Sequence, residues 1–214
     1  MDRTRIEPLF AAALIAGITF TANGWVGLHG TPAVIWKGAG VALLALWARS
    51  KAVNSGGRMI AAVLALGALG DVLLELQGMA AGGLAFLAGH FLASYLYLRN
   101  ARVPAANWIA PPVAMGVALF AWWVFKGGYQ VELLAFYVFG LSLMTASAML
   151  SRLGTLVALG ALLFFVSDWL IFLNQGRLIA PQIAELLVWP TYFAGQAFIA
   201  WGAVHALAQE KPTQ

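Results

Sequence analysis

The chain has no cysteine, which excludes disulfides, thiolate nucleophiles and thiolate metal sites. Charge is nearly as scarce: Asp, Glu, Lys and Arg make up 9% of the 214 residues, against 62% hydrophobic. A soluble domain of this size cannot be built so, because its exterior has to face water. Also missing are the G-x-S-x-G elbow, the H-E-x-x-H zinc motif, the P-loop and the dinucleotide fingerprint. Those absences remove the common serine-hydrolase, zinc-protease and nucleotide-dependent classes, and nothing in the chain calls for a cofactor. No convincing internal repeat and no low-complexity tract is found either.

What is there is apolar sequence in long runs. Runs able to span about 30 Å of hydrocarbon fall at roughly 9–28, 33–48, 59–77, 82–98, 107–125, 132–150, 153–173 and 183–207. They predict an all-α, polytopic membrane bundle of eight transmembrane helices, forming a single integral domain over residues 1–214. The opening MDRTRIEP has no small-residue cleavage site at signal-peptide distance and is read as the head of the first span. With the N-terminus in the cytoplasm, Arg3, Arg5, Arg49, Lys51, Arg58, Arg99, Arg102, Arg152 and Lys211 all fall on the cytoplasmic side. Only Lys126 and Arg177 fall outside, and Lys37 lies within a span. This positive-inside bias puts both termini in the cytoplasm, with a bacterial inner membrane as the expected location. It also accounts for the net charge of +4 without nucleic acid. Trp25, Trp47, Trp108 and Trp189, near span ends, are expected in interfacial belts.

Against this apolar background, a few polar residues stand out at membrane depth. Carboxylates in hydrocarbon are costly unless they face a partner or a wet cavity, so they mark function by default. At about 1.5 Å per helical residue, Asp71 lies roughly 20 Å above the cytoplasmic face and Asp168 about 24 Å. Lys37, His90, Tyr192 and Gln196 reach the same outer half from other helices. Five spans thus converge on one slab, while the first, fifth and sixth read as scaffold. Spacing adds polar seams: Asp71 with Glu75, Tyr192 with Gln196, and His90 with Ser94 and Tyr97, with Gly83 two turns before the histidine.

Such a set admits several chemistries. Two carboxyls in one low-dielectric pocket do not ionise alike, so one can hold a proton while the other is charged. That suits acid-catalysed cleavage through an oxocarbenium-like intermediate. Two aspartates and a histidine could instead hold a divalent metal. A proton-coupled transporter of small molecules or lipids would use the same Asp/His/Lys set, although paired broken helices, common in transporters, are missing.

Four stretches carry a family resemblance: LGDVLLEL at 69–76, FLAGHFLASYLY at 86–97, ALLFFVSDWLIFLN at 161–174 and TYFAGQAFIA at 191–200. In that order, and with eight spans, the chain resembles the YhhN/TMEM86 family, whose characterised members are lysoplasmalogenases. The resemblance runs from about Trp36 to Trp201. It implies a lysoplasmalogen or lysophospholipid as the lipid substrate and, for the lysoplasmalogen, hydrolysis of its vinyl-ether bond to a fatty aldehyde and a glycerophospho-alcohol. No protein partner is implied. The family's paired aspartates fall on Asp71 and Asp168 and its helix-four histidine on His90, making these the candidate catalytic residues, with no metal. Lys37, Glu75, Ser94, Tyr192 and Gln196 are the candidate substrate-binding residues. Where the family motif has proline after the lysine, this chain has Gly38.

Overall fold

A computed structural model describes residues 7–128 and 130–209. Arg3, Arg5 and Lys211, used above to orient the chain, lie outside the described residues. The elements are α1 (Pro8–Phe20), α2 (Asn23–Val26), α3 (Thr31–Lys51), α4 (Ser55–Gln77), α5 (Met79–Arg99), α6 (Ala106–Val124), α7 (Val131–Leu150), α8 (Thr155–Gln175) and α9 (Pro181–Ala208). Local sequence explains the ends. Proline opens α1 and α9 and follows the first residue of α3, where its missing N–H would have had no partner. The side chain of Asn54 caps α4 by accepting from the Gly57 amide at 2.8 Å. Only Gly78, with φ +87°, separates α4 from α5; that left-handed turn needs glycine.

Among the described residues, seven helices are long and apolar enough to cross a membrane, and α1 is a shorter apolar eighth. The first predicted span differs in form from the rest. Its 13 residues reach about 20 Å, and the helix stops at Thr21 before the four-residue α2. Thr21, Asn23 and Gly24 are poor helix formers, and the Asn23 side chain turns back to accept from the Leu28 amide.

Lipid offers no hydrophobic drive between helices, so close backbone approach has to hold the bundle. The clearest case is α8 on α9, where Gly160 and Gly195 face each other. Gly17 of α1, Gly40 of α3 and the Phe193 ring of α9 make a second such contact. On α6 the buried residues are Ala106, Ala110, Ala114, Ala118 and Ala121. That alanine stripe lies against α7, while Trp108, Trp122 and Trp123 point out of the bundle. At the end rich in arginine, Arg152 N–H donates to the Asn100 carbonyl and Arg102 N–H to that of Leu150, tying two loops together.

One of the four tryptophans expected in interfacial belts is a core residue instead, and a second, Trp189, is partly buried against the core. Trp47 is 1% exposed, stacked on Trp201 with Phe10 against it. Trp189 donates its indole N–H to the Gly17 carbonyl. Trp25 and Trp108 are exposed.

Candidate active site

Each of the two buried aspartates is met by a tyrosine from another helix. Asp71 on α4 accepts at Oδ2 from the Tyr192 hydroxyl of α9 at 2.8 Å, and Gln196 Nε2 donates to that hydroxyl oxygen at 3.2 Å. Gly67 makes room for this group: a Cβ there would stand 2.7 Å from Gln196 Nε2. On α8, Asp168 accepts at Oδ2 from the Tyr137 hydroxyl of α7 at 2.7 Å. His90 of α5 reaches the same hydroxyl, with Nε2 3.1 Å from it and 4.0 Å from Asp168 Oδ2. Its other nitrogen, Nδ1, faces the Met144 thioether at 3.3 Å.

The two clusters are separated by rings. Phe164 stands edge-on to both His90, at 5.0 Å between centroids, and Tyr192, at 5.1 Å. Phe86 packs edge-on to Phe164 and to Tyr192 and lies over Gly70, where a Cβ would meet its ring at 2.8 Å. The aspartates therefore do not share one pocket, as the sequence suggested; each has its own donor, and two phenylalanines fill the space between.

Only one of the two carboxyls faces open space. A cavity of about 170 Å³ lies between α5, α7 and α8, and its wall includes Asp168 and Tyr137. The rest of the wall is largely apolar, with Gly83, Leu87, Leu134 and Phe172 among its residues, and Gln130 and Gln175 at the exposed end. Asp168 lies seven residues below Gln175, about 10 Å along the helix. The charge distribution in the sequence assigns that end to the outer face.

The remaining sequence-predicted residues take other partners. Lys37 and Glu75 pair with each other at 2.7 Å, 17% and 46% exposed, at the α3–α4 contact. Gly38 allows the approach, since a Cβ there would be 3.0 Å from Val72 Cγ2. The Ser94 hydroxyl donates to the His90 carbonyl one turn back in its own helix and does not line the cavity. Tyr192 and Gln196 serve Asp71 rather than the cavity. Among the described residues no three His, Asp or Glu side chains come together as a metal-binding group.

Sequence reasoning missed Tyr137, having read the sixth span as scaffold. The missed signal is its depth: six residues, about 9 Å, inside the start of α7, level with Asp168.

The YhhN family profile matches residues 33–203, from α3 into α9. The chain belongs to the YhhN family. No curated protein and no solved structure matches it. Every residue of both tyrosine–aspartate clusters lies within the YhhN match, as does the cavity wall, whereas α1 and α2 lie outside it.

Proposed function

We propose that this YhhN protein is an intramembrane hydrolase that cleaves the vinyl-ether bond of a single-chain ether lipid of the lysoplasmalogen class. The observation that carries the reading is a carboxyl, Asp168, set with Tyr137 in the wall of an otherwise largely apolar cavity. A vinyl ether needs an acid for its carbon and a site that shelters the cation that follows.

Asp168 in its acid form gives its proton to the vinyl carbon remote from oxygen. The π electrons form the new C–H bond and leave an oxocarbenium ion. Water adds to the cation's carbon and returns a proton to the Asp168 carboxylate. In the resulting hemiacetal the C–O bond to glycerol breaks, the hydroxyl proton passes to the departing glycerol oxygen, and an aldehyde is released. Asp71, in its ionised form behind Phe86 and Phe164, stabilises the cation through a low-dielectric interior where charges act over longer range than in water.

The test is to incubate the purified protein with a lysoplasmalogen and, separately, with an ordinary ester lysophospholipid, and to analyse the products by mass spectrometry. Free aldehyde from the first and no fatty acid from the second is the expected result. Fatty acid alone would make it an esterase, and no product from either would end the hydrolase reading.

A further inference from the structure

His90 contributes nothing to the cavity wall, yet it is buried at the back of the hydroxyl that serves Asp168. Its surroundings are unusual on both sides. Nε2 has one polar neighbour within hydrogen-bonding distance, the Tyr137 hydroxyl at 3.1 Å, and stands 4.0 Å from the carboxylate itself. Nδ1 faces the Met144 thioether, which accepts a hydrogen bond weakly and has no proton to give. Phe164 and Tyr137 pack edge-on against the ring. Any proton that His90 exchanges through these contacts therefore passes through Nε2 and Tyr137.

A phenol hydroxyl has one proton and can accept as well as donate. Between a carboxyl and an imidazole it can point either way. When Asp168 is ionised, Tyr137 donates to it and accepts from His90 Nε2–H. When Asp168 is protonated, Tyr137 accepts from the carboxyl and donates to a bare His90 Nε2. The two arrangements interconvert by moving two protons one step each. The Nε2 proton goes to the tyrosine oxygen as the hydroxyl proton goes to Oδ2. The imidazolium becomes a neutral Nδ1–H imidazole, the carboxylate becomes the acid, and Tyr137 is unchanged.

We infer that His90 is a proton store for Asp168, with the Tyr137 hydroxyl as the bridge between them. The inference builds on the hydrolase reading, since it assigns the device that keeps the acid loaded, but it concerns the proton inventory and is testable without turnover. His90 and Tyr137 are positioning residues here; neither has to touch the reacting bond.

The chain has three histidines, so the full-length protein labelled with ¹⁵N-histidine gives a spectrum simple enough to assign with His29 and His205 variants. Ring ¹⁵N shifts report which nitrogen carries the proton. In the wild type, neutral His90 is expected as the Nδ1–H tautomer. Raising the pH until Asp168 ionises leaves Tyr137 donating to the carboxylate, so Nε2 loses its donor and neutral His90 should switch to Nε2–H. Asp168→Asn, which does not ionise, should show no such switch, and in Tyr137→Phe, where the bridge is gone, the His90 tautomer should no longer follow the state of Asp168. If His90 keeps one neutral tautomer across that pH range in the wild type, the store is refuted; that measurement stands even if Tyr137→Phe fails to fold. Turnover separates the two proposals. A tautomer switch in a protein that releases no aldehyde keeps the store and sinks the hydrolase. Aldehyde release with an unresponsive His90 does the reverse. Where both hold, Tyr137→Phe should lower kcat about tenfold to a hundredfold, less than the loss typical of removing a general acid outright.

Discussion

Gly160 and Gly195 meet backbone to backbone: a Cβ built on Gly195 would lie 2.7 Å from the Gly160 carbonyl oxygen, and the converse distance is 2.6 Å. This contact fixes α8 against α9, and those helices carry Asp168 and Tyr192. The neighbouring atoms are backbone, so an added methyl has no flexible side chain to push aside.

Gly195→Ala should therefore destabilise the protein although alanine is the better helix former. Overpacking of this kind costs about 1–3 kcal/mol, enough to lower the melting temperature by several degrees for a domain of this size. Thermal unfolding of the purified variant checks it. A melting temperature equal to or above wild type would mean that the helices are not in such contact.

The aspartates should differ in how they fail. Asn at either position is isosteric and can still accept from its tyrosine, so folding should be nearly preserved. Among the described residues Asp168 is the only carboxyl in the cavity wall, so in Asp168→Asn kcat should fall by about 10²–10⁴. Asp71→Asn removes a charge that acts from behind two rings; a smaller drop is expected, with KM unchanged. Adding it to Asp168→Asn should produce little further loss, because residues that act as a unit are not additive. Equal, additive effects from the two would argue that the carboxyls work independently.

The bundle was legible because hydrocarbon imposes a length and a composition on every span, and because short connections rich in Gly, Pro and Asn cannot hide in an apolar chain. Asp71, His90 and Asp168 stood out by the same logic. How they would be partnered did not. Depth along an axis says which residues share a level, but not whether a phenylalanine stands between them. Phe86 and Phe164 are unremarkable in an apolar helix, yet they decide that Asp168 alone reaches the cavity. Trp47 shows the converse limit, since nearness to a span end does not reveal that Phe10 and Trp201 of neighbouring helices cover its ring.

Gly83 is open in a way that the packing glycines are not. A Cβ there would find nothing nearer than the Tyr137 ring at 4.0 Å, whereas at Gly82 it would strike Leu74 at 2.5 Å. Gly83 also belongs to the cavity wall. Gly83→Ala should fold at least as well as wild type, because it gains helix propensity without a clash. Gly83→Trp should fill the space before Tyr137 and raise KM about tenfold or more, with little change in melting temperature. Unaltered kinetics in Gly83→Trp would show that substrate does not use this cavity.

Lys37 and Glu75 allow the clearest separation of structure from recognition. Their side chains meet at 2.7 Å, with the lysine the less exposed of the two. If the pair only joins α3 to α4, either single change leaves one charge unmatched at membrane depth, and removing both should repair the damage. Lys37→Met and Glu75→Gln would then each lower the melting temperature by a few degrees, and the double variant would return close to wild type with normal KM. If Lys37 also receives the lipid phosphate, stability should still recover in the double variant while KM stays raised by about tenfold, since a charged hydrogen bond of this kind contributes roughly 1.5–3 kcal/mol. Because the cavity wall holds neither residue, the first result is the one expected. Melting temperature and KM, measured across all four proteins of this cycle, decide between them, and a persistently raised KM in the double variant would restore Lys37 to the substrate site.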